Sequence, residues 1–414
     1  YIERIDIIGN TRTLDEVIRR ELRLYEGDAY NRVLVERGRR RLTSLDFFEK
    51  IDMREEPGSA ADRVILIVEV VEKSTGSLNL TAGYSTSDGI IGGISITERN
   101  LLGRGQNVRL DTQLSWDRQS LDFGFTEPYF LDMPLAAGFD LFATRSSDTD
   151  SAQYNTTRYG GALRTGFRLD EWQSLSFKYT LSRRDVTIDE DERNDVAPAI
   201  LDSEGVTWKS AVASSYVYDD LDNPNKPAKG FRGKSTVEIA GLGGDVYYAS
   251  IDSSAYYFTP LFFDGVILKL EANAGHMEPL TSDDIPIQDR FFKGSDTFRG
   301  FMRGGVGPRM SNTNGDTDAI GGYTYAIGTV ETTFPLGLPD EFGLEGAVFS
   351  DFGTVFGAPE KTEQEGQGLC ESDNDGDTGE ECKVYDTMTF RLSVGAGVIW
   401  QSPFGPLRVD VAYP

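Results

Sequence analysis

Val108-Arg-Leu-Asp-Thr-Gln-Leu-Ser-Trp-Asp117 decides the fold. Side chains along an extended strand alternate between faces, so Val108, Leu110, Thr112, Leu114 and Trp116 share one face. Arg109, Asp111, Gln113, Ser115 and Asp117 share the other. Residues 174–182 do the same, with Leu175, Phe177, Tyr179 and Leu181 opposite Ser174, Ser176, Lys178, Thr180 and Ser182. Residues 158–169 repeat it with Arg158, Arg164 and Arg168 on the polar side. Between residues 78 and 413 the pattern recurs about fifteen times, each time closed by a turn. A soluble β-sandwich or propeller would use strands of about 5–6 residues with apolar inward faces. Here the strands are longer and the second face carries Arg, Lys, Asp and Glu. Charges within and large apolar side chains without describe a transmembrane β-barrel.

Composition bounds the rest. The chain has 414 residues, enough for at least two domains. Hydrophobic residues make up 39% and mean hydropathy is −0.36, and no stretch reaches the roughly 18–20 apolar residues a membrane helix needs. A barrel escapes that test, because half of each strand never meets lipid. Net charge is −26, and residues 1–74 carry 14 Lys/Arg against 16 Asp/Glu, so the acidity belongs to the barrel. It collects in the candidate loops, at Asp189-Glu-Asp-Glu192, Asp283-Asp284 and residues 373–381. An acidic surface argues against nucleic acid as a partner. It reads as solvated loops, with divalent bridging to anionic lipid headgroups as a second reading.

Cys370 and Cys382 close a short polar segment and read as a disulfide in an oxidising compartment. Asp373-Asn-Asp-Gly-Asp377 between them begins like a calcium loop, but Thr378 stands where such a loop needs glycine. A pinned acidic loop is the first reading, with calcium as the weaker alternative. His276 stands alone, far from any Cys, His or carboxylate cluster at ligand spacing, so neither a catalytic triad nor a cofactor is expected.

Residues 1–75 form a separate unit. Ile2 to Ile8 is a short strand. Thr13 can cap a helix whose Leu14, Val17, Ile18 and Leu22 share a side. A second helix over residues 31–44 turns Leu34, Gly38 and Leu42 inward, and strands over 48–54 and 64–71 follow, joined by Pro57-Gly58-Ser59. The order β-α-α-β-β makes a compact α+β module whose three-stranded sheet leaves an edge for an incoming strand. Residues 76–414 form the barrel. Its fifteen expected strands leave an odd count, so a sixteenth is expected beyond Pro414. Connections after even-numbered strands are mostly short, whereas the long ones, 146–156, 187–205, 277–320 and 357–385, follow odd-numbered strands. With the small domain in the periplasm, every long loop then lies on the outer side, as outer-membrane barrels are built.

The loop 277–320 holds Asp289-Arg-Phe-Phe-Lys-Gly-Ser-Asp-Thr-Phe298-Arg-Gly-Phe301. Loops of that length are functional or unstructured. Phe298 and Phe301 around Arg299-Gly300 suit a loop folded back into the lumen, where Arg299 needs anions. Glu331 and Asp351 have lumen parity on their strands, and a planar guanidinium can hold two carboxylates at once. An ordinary solvated arginine is the competing reading.

Here the chain resembles a known family. Tyr1-Ile-Glu-Arg-Ile-Asp-Ile-Ile-Gly-Asn10 with Arg41-Leu-Thr-Ser-Leu-Asp-Phe-Phe-Glu49 looks like a polypeptide-transport-associated (POTRA) domain. Asn100-Leu-Leu-Gly-Arg-Gly105, Glu127-Pro-Tyr-Phe130, Phe298-Arg-Gly-Phe301, Val348-Phe-Ser-Asp-Phe-Gly-Thr-Val-Phe356 and Gly405-Pro-Leu-Arg408 look like the barrel of the BamA family of bacterial outer-membrane assembly factors. The resemblance implies a last POTRA domain in the periplasm and a sixteen-stranded barrel in the outer membrane. It implies insertion of other β-barrel proteins, accessory lipoproteins bound through POTRA domains, and contact of Arg299 with Glu331 and Asp351. Such proteins carry five POTRA domains where one is present here. The seam strand would be Leu78, Asn79, Leu80, Thr81, Ala82, Gly83, Tyr84 and Ser85, weakened by Gly83 and the turn at Asp88-Gly89. An unpaired edge there would template a client strand. A POTRA-containing secretion transporter, a translocation and assembly module, and a purely structural barrel are the rival readings.

Overall fold

Alternating patterns fold here into strands, and 3.6-periodic ones into two short helices. The computed structural model describes residues 1–85, 89–148, 154–190, 193–224, 226–261, 263, 265–312, 316–339, 342–359, 384–386, 388–402 and 405–414. Cys370, Cys382 and the acidic segment between them lie outside the described residues. In chain order the elements are β1 (Ile2–Ile8), α1 (Asp15–Leu22), α2 (Arg32–Leu45), β2 (Phe48–Pro57), β3 (Val64–Glu72), β4 (Gly76–Ser85), β5 (Gly89–Leu101), β6 (Gln106–Leu114), β7 (Arg118–Glu127), β8 (Ala136–Asp148), β9 (Tyr154–Arg168) and β10 (Gln173–Thr187). Then come α3 (Pro198–Leu201), β11 (Gly205–Asp219), β12 (Gly230–Gly244), β13 (Tyr248–Pro260), β14 (Ile267–Pro279), β15 (Arg309–Ser311), β16 (Thr317–Ala319), β17 (Thr324–Pro335), β18 (Leu344–Phe356), β19 (Val384–Tyr385), β20 (Arg391–Ser402) and β21 (Gly405–Tyr413). A three-stranded sheet runs β1-β3-β2, with β1 parallel and β2 antiparallel to β3. The barrel sheet has fifteen strands, in chain order from β4 to β21, with β15, β16 and β19 set apart as a small sheet of their own.

The chain packs as two units. One comprises Tyr1–Gly83, Ile90–Leu114 and Ser120–Phe142; the other comprises Tyr84–Gly89, Ser115–Gln119 and Ala143–Pro414. In the first, Ile2, Ile5, Val17, Ile18, Leu22, Leu42, Leu66 and Val68 form the buried core of the small domain. Two expectations are corrected. Thr13 does not cap α1: the cap position is Leu14, without a side-chain bond, because the Thr13 hydroxyl instead accepts from Asn100 Nδ2 at 2.9 Å. The inner row of α2 is Val35, Gly38 and Leu42 while Leu34 is exposed, as is Leu14. A row at i, i+3, i+7 lies straighter along the helix than one through Leu34. Asn31 caps α2 by accepting from the Val33 amide at 2.9 Å.

The same unit shows what the turn Asn100-Leu-Leu-Gly-Arg-Gly105 does. The Leu14 amide donates to the Gly103 carbonyl at 2.9 Å, the Gly105 amide donates to Asn100 Oδ1 at 2.7 Å, and the Arg20 guanidinium lies 4.3 Å from the Tyr129 ring centre. The barrel turn is thereby seated on the first helix of the small domain.

The second unit is inside out relative to a soluble protein. Leu163, Phe177, Leu181, Ile239, Val330, Val348 and Val394 are exposed on one face of their strands. Ser182, Arg184, Ser210, Thr329, Glu331, Asp351 and Ser393 are buried on the other. Water would penalise that exposed apolar band, and lipid does not. Described parts of the long loops pack together. Ile188, Val196, Ala197, Ile200, Ile287, Met310 and Ile320 form an apolar cluster, and β15 pairs with both β16 and β19. Asp318 fixes α3 by accepting from the Ala197 amide at 2.7 Å.

Candidate functional site

Strand register brings the acidic groups together. Thr329 on β17 pairs with Asp351 on β18, and Glu331 pairs with Phe349. Glu331 and Asp351 are therefore diagonal neighbours on one face, with the Phe349 ring between them. Two carboxylates side by side on a buried wall demand a cation, and the loop after β14 supplies it. Arg299 donates from Nε to Asp351 Oδ2 at 2.8 Å and from Nη2 to Asp351 Oδ1 at 2.7 Å, a two-pronged bond. Its Nη1 donates to Glu331 Oε2 at 2.7 Å, and its backbone amide donates to Asp351 Oδ2 at 3.1 Å. Thr329 Oγ1 adds a donor to Asp351 Oδ1 at 2.8 Å. The guanidinium carbon lies 3.4 Å from the Phe349 ring centre, so the aromatic face stacks under the charge. Side-chain exposure is 3% for Asp351, 5% for Glu331 and 18% for Arg299, so water screens these bonds little.

The flanking residues fix the orientation. Phe298 is fully buried against Val306, Tyr325, Ile327 and Val355 and meets Phe301 edge-on, at 5.1 Å and 89°. Gly300 has φ +91°, and a Cβ there would come within 3.2 Å of the Ser393 side chain, so a residue without a side chain is required. Three partners escaped the reading of the sequence. Arg408 on β21 holds Glu331 from the other side at 2.7 and 3.0 Å. Asp410 accepts from Arg408 Nε at 2.8 Å, and Phe349 makes the stacking floor. Their signal lay in small residues: Gly395 and Gly397 share parity with Ser393 on β20, where a Cβ would strike the Phe349 ring at 2.4 Å and Asp410 Oδ1 at 1.9 Å.

The other singled-out residues lie elsewhere. His276 bonds through Nδ1 to Thr324 Oγ1 at 2.8 Å, and no group of three or more metal-ligating side chains occurs among the described residues. Leu78, Asn79, Leu80, Thr81, Ala82, Gly83 and Tyr84 on β4 are all exposed, Leu80 at 72% and Tyr84 at 77%.

Residues 100–414 match the model of the Omp85 superfamily domain. The chain belongs to the Omp85 superfamily. Residues 1–73 match the POTRA model described as surface antigen variable number repeat. The outer membrane protein assembly factor BamA of Neorickettsia risticii is 34% identical over 411 residues, covering 99% of this chain. The chain spans about half of that relative, 52% of its length. In fold it is similar to Haemophilus ducreyi BamA lacking POTRA domains 1–3, with a TM-score of 0.79 at 22% identity, covering 100% of this chain and 81% of that one. CdiB from Acinetobacter baumannii is similar with a TM-score of 0.59 at 14% identity, covering 100% and 74%. This Omp85 chain is thus an outer-membrane barrel with a periplasmic POTRA domain.

Proposed function

We propose that this Omp85 chain folds and inserts other β-barrel proteins into the bacterial outer membrane, by templating their strands and without covalent chemistry. The observation that carries the reading is likeness, across 99% of the chain, to a protein named an outer membrane protein assembly factor. In this reading residues 1–75 are the POTRA domain and residues 76–414 the barrel, with loop 277–320 as its plug. Unfolded barrel clients, accessory lipoproteins and outer-membrane lipid are the partners.

The mechanism follows from the cost of unpaired backbone in lipid, several kcal/mol per group. A client strand arriving from the periplasm pairs with the backbone of β4, whose exposed Leu78–Tyr84 stretch has few side-chain contacts to lose. Arg299, held by Glu331 and Asp351, keeps the loop docked and the wall stiff while strands exchange. No cofactor takes part.

Cysteines placed singly at positions 78–84 test this by cross-linking to a client carrying a cysteine in its last strand. Adducts whose yield alternates along β4 support templating. A client that assembles at the normal rate with no adduct at any position would exclude it. The rival secretion transporter would export a soluble substrate and leave barrel clients uninserted.

A further inference from the structure

Arg299 is one of two charged anchors on the same loop. Ten residues earlier, Asp289 ends a 3-10 turn (Ile287–Asp289) and is 4% exposed on its side chain. It accepts from Arg184 on β10 through both guanidinium arms, at 2.7 and 2.9 Å, and from Lys209 Nζ on β11 at 3.2 Å. Lys209 is itself held by Glu238 on β12 at 2.8 Å and by the Tyr248 hydroxyl, which donates to Glu238 at 2.5 Å. The wall thus presents buried cations to Asp289, as it presents buried anions to Arg299.

The segment between the anchors is tied to flanking stretches of the same loop, at residues 285, 306, 320 and 322. Arg290 Nε donates to the Ile285 carbonyl at 2.8 Å and its Nη1 to the Ile320 carbonyl at 3.2 Å. Phe291 bridges Gly322, and Lys293 bridges Val306. Lys293 also lies 3.8 Å from the Tyr325 ring centre. A stretch fastened this way moves as one body, so releasing one end loosens the other.

We infer that Asp289 is a second positioning residue for the Arg-Gly-Phe turn: an acid against a basic wall and a base against an acidic wall hold one segment of the loop at its two ends. The inference deepens the proposed assembly role, in which a docked loop is required. It also explains why the loop takes one orientation, since sliding or reversing it would bring like charges together.

The test is a maleimide labelling rate on the full chain in liposomes, with Cys370 and Cys382 replaced by serine and a probe at Val306→Cys, a buried site beside Phe298. Asp289→Asn should speed labelling there about tenfold or more, the loss of a charge-assisted pair. Asp289→Glu should stay within about threefold of the parent, and Asp289→Asn with Arg299→Ala should give the product of the two separate effects. Labelling at Val306→Cys within about twofold of the parent, while a probe at Ile287→Cys opens, would overturn the inference, because Asp289 would then hold only its own turn. Should Asp289→Asn fail to give a folded, heat-modifiable barrel, Lys209→Gln decides in its place: it leaves the Arg184 fork intact and should speed Val306→Cys labelling by about threefold. Failure of the unmodified protein to insert any barrel client would remove the assembly reading and leave the labelling result standing.

Discussion

Arg299→Ala isolates the latch, and the structure sets the size of its effect. The substitution removes three side-chain hydrogen bonds, two to Asp351 and one to Glu331. Glu331 keeps both bonds from Arg408, a cation it shares with Asp410. Asp351 keeps the Thr329 hydroxyl and a backbone amide but loses its cation. Breaking a buried pair costs about 3–5 kcal/mol in general, and the surviving donors place this case at the low end, about 3 kcal/mol. That free energy acts on loop opening, so opening should rise about 100-fold, at roughly 1.4 kcal/mol per decade. Hydrogen exchange reads it directly. The amides of Phe291, Ser295, Gly305 and Val306 are bonded to Gly322, Phe301, Met302 and Lys293 carbonyls at 3.0, 2.7, 2.8 and 3.3 Å, and their protection should fall together. Protection within about threefold of the parent, in a barrel that still migrates as folded, would refute the latch.

Gly103→Ala tests the seat of the barrel turn on the small domain. Gly103 has φ +75° and a Cβ there would fall 1.9 Å from the Arg12 carbonyl, so protease cleavage near residues 100–105 should accelerate, by about fivefold or more for a strain of at least ~1 kcal/mol. Glu72 sets an acid limit on the small domain: burial raises its pKa, but donors from Thr13, Thr11 and Arg12 outweigh burial and hold it at about 2. With the folded value below the unfolded one, its contribution is complete above about 4.5 and fades as pH falls towards about 2. Denaturant unfolding of Glu72→Gln should lack that part of the acid dependence. Phe298→Ala empties a fully buried site and should cost about 3–5 kcal/mol of loop docking, seen as lost protection at the same amides.

Much of this was legible in the chain because a period of two survives any tertiary context. The stretches read at 158–169 and 174–182 lie in β9 and β10 to within one residue, and the one read at 108–117 ends at Leu114, three residues short. Parity put Glu331 and Asp351 on the lumen face, and the resemblance supplied their pairing with Arg299. Asp289 and Arg408 were not legible in this way, because their partners come from strands far away in sequence, and one strand shows parity but not register. The cap at Thr13 failed for a related reason: its hydroxyl is taken by Asn100, 87 residues on. Leu34 failed because two rows of a helix can look equally apolar when only one meets a neighbour.

A buried ion pair is weak evidence for stability, since apolar replacements of similar volume often serve as well. The Arg299 cluster therefore makes most sense as a device for orientation. A greasy loop tip would pack on Phe349 in many poses, whereas a fork between Asp351 and Glu331 admits one. Replacing both members, Arg299→Met with Asp351→Leu, separates the two roles. No charge is orphaned on Asp351, and Arg408 continues to bond Glu331, so heat stability of the barrel should stay within about 1 kcal/mol of the parent. Loop protection should fall and client insertion should slow by an order of magnitude or more, as expected when a precise geometry is lost. If the apolar pair keeps both stability and insertion, the cluster is only a filler for the lumen and orientation by charge is wrong.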